Sequence, residues 1–341
     1  MTRARRCGCK SCKTWHRDTK LKIVAVVPSF NRLQMIQRCV ASLRAQTRQP
    51  DAILIVDGST LPEMRAWLEA QSDVTKVYVE NRGSAGGINV GMRWGVAHDF
   101  DWLWLLDDDV VALPDALERL TDVLTRRPDI FVINSLCVQA EDATRAAAGA
   151  VIWRNDPQNY LSGVFLQTVN EIRAHADADG LIDTLGGQLY QGTLLSVRVV
   201  REIGAPCPEF FTRGDEVEYG LRMMRAGYHT YICVNSIVTH PSSNTLFVTL
   251  FGKTLMFGRM TTQKRYYSIR NSIWIRRLYF PHAQFWLYVL KRGAAGIFQE
   301  LFVDRAKSPR ARLYGCGQVL RAVRDGLDVP IGIAEPLIAV K

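Results

Sequence analysis

Trp102-Leu103-Trp104-Leu105-Leu106 runs straight into Asp107-Asp108-Asp109, and that junction limits what the chain can become. The apolar run is too short to span a membrane and reads as a buried central strand. Its end then delivers three carboxylates to the carboxyl edge of a sheet, where open α/β folds bind ligands. Adjacent like charges repel, so a positive partner is expected beside them. A hard divalent cation with oxygen ligands, itself holding a phosphate-bearing substrate, meets that need. A solvated acidic turn is the other reading.

Lys22–Pro28 predicts a first strand, and Asn31 is expected to cap a helix whose Leu33, Ile36, Val40 and Leu43 share a face. Ala52–Val56 predicts a second strand ending at Asp57-Gly58-Ser59, Pro62–Ala70 a helix, and Lys76–Val79 a third strand. Asn81-Arg82-Gly83-Ser84-Ala85-Gly86-Gly87 reads as a glycine-rich turn into a helix of about Ile88–His98. Strands alternating with helices imply a mostly parallel sheet with right-handed crossovers. A helix near Pro114–Arg126 and a strand at Ile130–Val138 follow, and the pattern then weakens through residue 184. Gln191–Ser196 is apolar enough for a buried strand, and Val199–Ile203 is a short helix stopped by Gly204. Asp215 and Glu218 have capping-box spacing at the start of a helix running to Ala226. Tyr231–Val238 predicts a strand ending at Thr239-His240-Pro241, and beyond residue 245 the pattern turns helical, aromatic and basic.

Charge divides the chain the same way. Residues 1–22 carry a net +7, residues 23–258 a net −7 and residues 259–341 a net +10. We therefore expect a basic tail (1–21), a catalytic domain (22–245) and a helical basic extension (246–341). Basic ends favour anionic partners, lipid headgroups or nucleic acid. No run approaches a spanning helix and no signal peptide is read before residue 22, which predicts a cytoplasmic protein or one held at the inner face of the membrane. Five of the eight cysteines are scattered singly, as in a reduced compartment. Cys7, Cys9 and Cys12, with His16, offer four soft ligands for zinc. A disordered basic tail is the alternative.

The nucleotide-site motifs exclude several classes. The first strand-to-helix turn, Pro28-Ser29-Phe30-Asn31-Arg32, has no glycine for a dinucleotide, and no Gly-rich loop ends in Gly-Lys-Ser/Thr. His16-Arg17-Asp18 mimics a kinase tripeptide without the other kinase motifs. A different line of sites fits the edge. Asp57 could accept a hydrogen bond from a base, or be a turn residue. Arg32 could meet a phosphate. Gly86 and Gly87 could let backbone approach a bulky ligand, or only start a helix tightly.

These segments, with Gly214-Asp215-Glu216-Val217-Glu218-Tyr219-Gly220-Leu221-Arg222, His240 and Tyr266-Tyr267-x-x-Arg270-Asn271, resemble family 2 glycosyltransferases of the GT-A fold. Galactofuranosyltransferases and rhamnosyltransferases of bacterial cell-surface glycans are the nearest in pattern. The resemblance spans about Lys22 to Pro241. It implies metal-dependent, inverting transfer from a nucleotide-activated sugar, UDP- or dTDP-linked, to a hydroxyl of a glycan or lipid-linked acceptor. It further implies that Pro28, Phe30, Arg32 and Asp57 hold the nucleotide with Asn81 nearby, in a donor site that also takes in Gly86, Gly87 and Asn89. Asp107, Asp109 and His240 would ligate Mn²⁺ or Mg²⁺, and Asp108 would face the donor sugar or ribose. Glu216 matches the general base, with Asp215 structural or acceptor-binding; many relatives have Asp where Glu216 stands. The Gln-x-x-Arg-Trp motif of processive synthases is missing. Two rival readings are a sugar nucleotidyltransferase, whose early glycine-rich signature is missing, and a nucleic-acid binder using the Cys/His cluster and basic ends. The aromatic-basic C-terminal part reads as a peripheral membrane contact, as a helical cap with a solvated basic face, or as both.

Overall fold

The computed structural model describes residues 21–147, 151–153, 164–184, 189–242, 245–250, 253–258, 260–280, 282–304 and 307–328. The Cys7, Cys9, Cys12 and His16 cluster lies outside them.

In chain order the strands are β1 (Ile23–Ser29), β2 (Ala52–Asp57), β3 (Val74–Tyr78), β4 (Trp102–Leu106), β5 (Val111–Ala112), β6 (Val132–Gln139), β7 (Val151–Trp153), β8 (Val164–Leu166), β9 (Leu181–Thr184), β10 (Gln191–Ser196), β11 (Thr230–His240), β12 (Thr245–Leu250) and β13 (Lys253–Gly258). The helices are α1 (Leu33–Arg44), α2 (Pro62–Glu69), α3 (Gly83–Ala97), α4 (Ala116–Arg126), α5 (Val169–Ala174), α6 (Val197–Ile203), α7 (Asp215–Arg225), α8 (Thr262–Tyr279), α9 (Phe285–Phe298) and α10 (Pro309–Leu327). The main sheet runs β3-β2-β1-β4-β10-β6-β11-β9-β7-β8, with β5 also pairing β11.

β3, β2, β1 and β4 are parallel, with β1 between β2 and β4. Strand order therefore reverses beside β1, and such a switch point opens a crevice at the carboxyl ends of the strands. Beyond β4 the sheet is mixed rather than mostly parallel. β10 is antiparallel to both β4 and β6, and β11 is parallel to β6. Two reversals restore the direction, so β11 ends at the same rim as β1, β2 and β4.

Both faces of the sheet are covered, so the central strands are apolar throughout. On β4, Trp102, Trp104 and Leu106 point into the core shared with α1, α2 and α4. Leu103 and Leu105 point the other way, towards α3, α6 and α7. This is the period-2 alternation of a strand buried on two sides.

The glycine run is not a turn. Gly83 begins α3, and Gly86 and Gly87 are buried within its first turns. A Cβ at Gly87, Gly91 or Gly95 would lie 2.6 Å from Pro28 Cβ, 2.2 Å from Val26 Cγ1 or 2.3 Å from Leu103 Cδ2. Spaced by four, these glycines let α3 press directly onto β1 and β4. Asn31 does not cap α1. The N-cap is Arg32, while Asn31 adopts φ 55° and exchanges hydrogen bonds with Thr60. The chain past residue 245 is not purely helical either, because β12 and β13 form a hairpin ahead of α8. α8, α9 and α10 then share a small core of Ile269, Ile273, Phe285, Val289, Val319 and Ala322.

Candidate active site

β1 and β2 end in register at Ser29 and Asp57. Asp57 is buried, and its Oδ1 accepts from Ser59 N at 3.1 Å, which folds the loop after β2 back over the strand end. From β4, the Asp107 amide donates to Tyr190 O at 2.7 Å and the Val110 amide to Asp107 O at 3.2 Å, curling the acidic triplet at the rim. Ser29 Oγ donates to Asp108 Oδ2 at 3.0 Å. Arg32 Nη1 bridges Asp108 Oδ1 at 2.7 Å and Asp109 Oδ2 at 2.8 Å. The arginine expected to meet a phosphate binds two of the three aspartates.

β5 brings in the histidine. It leaves the triplet after one residue and pairs antiparallel with β11, Val111 opposite Thr239. His240 therefore lands beside Asp109, with Nε2 3.2 Å from Asp109 Oδ1. Its Nδ1 lies 2.6 Å from Pro241 O, so Nδ1 carries the proton and Nε2 faces the carboxylates. One ligand atom from each of Asp107, Asp109 and His240 fits within 4.8 Å of the others.

Charge compensation is uneven across these three groups, with Arg32 paired to Asp109 at 2.8 Å and, among the described residues, forming no ion pair with Asp107. Burial, then Asp109, push the Asp107 carboxyl up to about 8. Burial also opposes ionisation of Asp109, but His240 and Arg32 outweigh it and hold this carboxyl at about 2. Asp109 Oδ1 is buried and accepts no well-aligned hydrogen bond. Two carboxylates and one imidazole, with a buried oxygen unsatisfied, suit a divalent cation.

The helix expected to carry the base starts differently from a capping box. Its N-cap is Gly214 at φ 93°, with Asp215 and Glu216 in the first turn. Glu216 Oε2 accepts from Gly214 N at 2.9 Å. Glu218 binds Arg222 at 2.6 Å and the Tyr279 hydroxyl at 2.5 Å instead of capping. Asp215 is buried with Oδ2 unpartnered; burial, then the neighbouring Glu216, raise its carboxyl well above the usual range. The loop ahead of α7 is tied to the start of α3, the Ala85 amide donating to Phe211 O at 3.2 Å and Ser84 Oγ to Thr212 Oγ1 at 3.4 Å, which sets the start of α7 at the same rim.

Sequence reasoning gave no role to Asn271, although it lies in one of the matched segments. Its Nδ2 approaches Phe210 O and Thr212 O at 2.9 Å and Arg213 O at 2.6 Å. Arg270 adds a bond to Glu209 O at 2.6 Å, and the Phe211 ring stacks on Tyr267 with centroids 4.8 Å apart. Phe211 and Arg213 sit at φ 62° and 64°, which bulky side chains seldom adopt. α8 thus holds in place the strained loop that leads into Glu216.

The remaining expected residues are placed as follows. Pro28 lies under Gly87, and Phe30 is 41% exposed beside the rim. Asn81 Oδ1 accepts from Gly83 N at 2.9 Å and fixes the start of α3. Gly86 faces Arg82, and Asn89 Nδ2 donates to Pro206 O at 2.8 Å. Gly86, Gly87 and Asn89 therefore make contacts within the protein at α3, and the loop approach read from the sequence is a helix–sheet approach.

The description Glycosyl transferase family 2 matches residues 24–175, which span β1 to α5 and include the acidic triplet. The chain carries a family 2 glycosyltransferase domain. Glycosyl transfer is its activity. This glycosyltransferase is 28% identical over 266 residues to galactofuranosyltransferase GlfT1 of Mycolicibacterium smegmatis, covering 73% of this chain and 81% of that one. Against galactofuranosyltransferase GlfT1 of Mycobacterium tuberculosis the identity is 27% over 262 residues, 73% of this chain and 80% of that one. In fold it resembles the crystal structure of GalNAc-T7 with UDP, GalNAc and Mn²⁺. That match has a TM-score of 0.57 and 12% identity, and covers 89% of this chain and 56% of that one. The glycosyltransferase domain has the GT-A architecture.

Proposed function

We propose that this glycosyltransferase is metal-dependent and inverting. It moves a galactofuranose- or rhamnose-like sugar from a UDP- or dTDP-linked donor to a hydroxyl of a cell-surface glycan or lipid-linked acceptor. The observation that carries the reading is the meeting of Asp107, Asp109 and His240 within 4.8 Å at the switch point of the sheet. The galactofuranosyltransferases it resembles support the choice of sugar.

Pro28, Phe30 and Asp57 border the nucleotide, with Asp57 placed to accept from the base. Arg32 lies at the phosphate side and also orients Asp108 towards the sugar or ribose. Asn81, Gly86, Gly87 and Asn89 serve this site indirectly by setting the start of α3 and its distance from β1. Asp107, Asp109 and His240 would hold Mn²⁺ or Mg²⁺, which neutralises charge gathering on the diphosphate as the glycosidic bond breaks. The imidazole tilts the choice towards Mn²⁺. Glu216 takes the proton of the acceptor hydroxyl. The oxygen attacks the anomeric carbon from the face opposite the diphosphate, and the bonding pair of the cleaved C–O bond leaves with the diphosphate oxygen. Asp215 keeps its proton and positions the base.

Among the described residues no helix is long and apolar enough to cross a membrane. Trp286, Leu290, Leu313 and Tyr314 are each more than 60% exposed on α9 and α10. Apolar side chains so exposed, amid Lys291, Arg292, Arg310 and Arg312, support a peripheral contact with the inner face of an anionic membrane.

A panel of nucleotide sugars with and without Mn²⁺, read by thermal shift, tests the donor site. NMR of the product anomer then tests inversion. Stabilisation only when both nucleotide sugar and metal are present is expected; no response to any member of the panel would reject the reading.

A further inference from the structure

Arg32 is tied to the same carboxylate that a cation at this rim would use. Its Nη1 bridges Asp108 Oδ1 at 2.7 Å and Asp109 Oδ2 at 2.8 Å, and Asp109 is one of the three groups whose ligand atoms converge. The two aspartate side chains are 7% and 10% exposed, whereas that of Arg32 is 46% exposed. The carboxylates are thus fixed in the protein and the guanidinium reaches them from the solvent side. The local backbone leaves it free to do so. Asn31, at φ 55°, bonds the loop after β2 through its amide, 2.8 Å from Ser59 Oγ, and through Thr60. Arg32 then N-caps α1 without using its side chain for the cap.

A cation entering among Asp107, Asp109 and His240 meets this arginine as a neighbour. Arg32 holds one oxygen of Asp109 and His240 faces the other. A divalent ion on Asp109 must share the carboxylate with a positive charge already seated there, and like charges one carboxylate apart repel strongly where water is scarce. The surroundings lean the same way. Burial first, then Arg213 and Arg32, push the Lys264 ammonium on the first turn of α8 below its usual range, and Asp109 and Asp107 offset only part of that. A diphosphate changes the balance. It offers anionic oxygens to a guanidinium and a metal at once, so the two cations share it instead of contesting Asp109.

We infer that Arg32 makes metal binding conditional on the diphosphate: it is the resident counter-ion of Asp108 and Asp109, it disfavours a divalent cation beside them, and a bound diphosphate draws it off Asp109. The inference rests on the donor and metal sites proposed above and adds an order of assembly to them. By linkage, the diphosphate and the metal then tighten each other by one common factor. The role is opposite in sign to that of a residue that merely orients a metal ligand, whose loss weakens the metal.

The full chain tests this. Electron paramagnetic resonance, which counts free Mn²⁺, measures affinity for the metal alone in the parent, Arg32→Gln and Arg32→Lys. Calorimetry measures affinity for UDP and for dTDP, each with chelator and with saturating Mn²⁺, and the ratio is the coupling. Arg32→Gln should bind Mn²⁺ alone roughly fivefold more tightly than the parent, and its coupling should fall by a similar factor. Arg32→Lys keeps the charge without the guanidinium fork, so both values should shift the same way by less. It carries the test if thermal melts show Arg32→Gln to be unfolded. Equal or weaker binding of Mn²⁺ alone in the variants, or an unaltered coupling, overturns the inference. A parent that binds nucleotide with Mn²⁺ alongside such variants rejects the gate alone. A parent that binds neither nucleotide with Mn²⁺ rejects the donor and metal sites beneath it.

Discussion

His240 Nε2 lies 3.2 Å from Asp109 Oδ1 because β5, two residues long, pairs Val111 with Thr239 next to both. The pair brings together the ends of β4 and β11, which β10 and β6 separate in the sheet. Removing either side chain should therefore abolish a shared function without dismantling either strand.

Asp109→Asn and His240→Gln are each expected to lower Mn²⁺ affinity at least 10-fold and transfer by more. Calorimetry with Mn²⁺ and a nucleotide diphosphate measures the first, and initial rates the second. A chelator should stop transfer while leaving the thermal melt of the catalytic sheet in place.

Glu216→Gln should keep donor binding and lose transfer by about 10²–10⁴-fold, the usual worth of a general base. Donor affinity is read by calorimetry and transfer by product formation. Turnover near that of the parent would place the base elsewhere.

Asp215 gives a pH-dependent stability. The folded protein keeps its proton to a pH well above the range in which the unfolded chain releases it, about pH 4. The folded state then binds more protons, so this group makes stability fall as pH rises from there towards the folded value. Asp215→Asn removes that slope. Its melting temperature relative to the parent should rise between pH 5 and pH 8, as scanning calorimetry would show.

Asn271→Asp retains shape but loses the NH₂ that meets three loop carbonyls. Misplacing Glu216 by about 1 Å would lower kcat roughly 100-fold. The donor KM, set at the other end of the rim, should change little. A proportional change in both would mean that the residue acts on overall stability alone.

Gly91→Ala places a methyl 2.2 Å from Val26 Cγ1. Overpacking of this kind costs about 1–3 kcal/mol, measurable by urea unfolding. The same replacement should cost less in a Val26→Ala background, because the two sites share one contact.

Much of this site is legible in the sequence, for physical reasons. A run of large apolar residues ending in carboxylates reads as a strand delivering charge to a rim, with a solvated acidic turn as the alternative, so β4 and its triplet stand out. β5 does not, since two residues carry no period. Glycines suggest loops, and only the contacts of Gly87 and Gly91 with β1 reveal a helix set close to the sheet. The strands from β7 to β9 are three or four residues long and gave no recognisable alternation. Asn271 acts on backbone carbonyls far away in sequence, and no local pattern announces such a bond.

The loop that leads into Glu216 is tethered by the Asn271 amide, the Arg270 guanidinium and the Tyr267 ring, all from a helix that the sheet does not own. Any rearrangement that exchanged the C-terminal helices for another set would inherit the rim of β1, β2 and β4 intact but, on the role proposed for Glu216, an idle carboxylate. The newcomer would have to present a donor at the same height as Asn271 before the chemistry could resume. Change of clientele and preservation of turnover are thus coupled through a few side chains on one stretch of that helix.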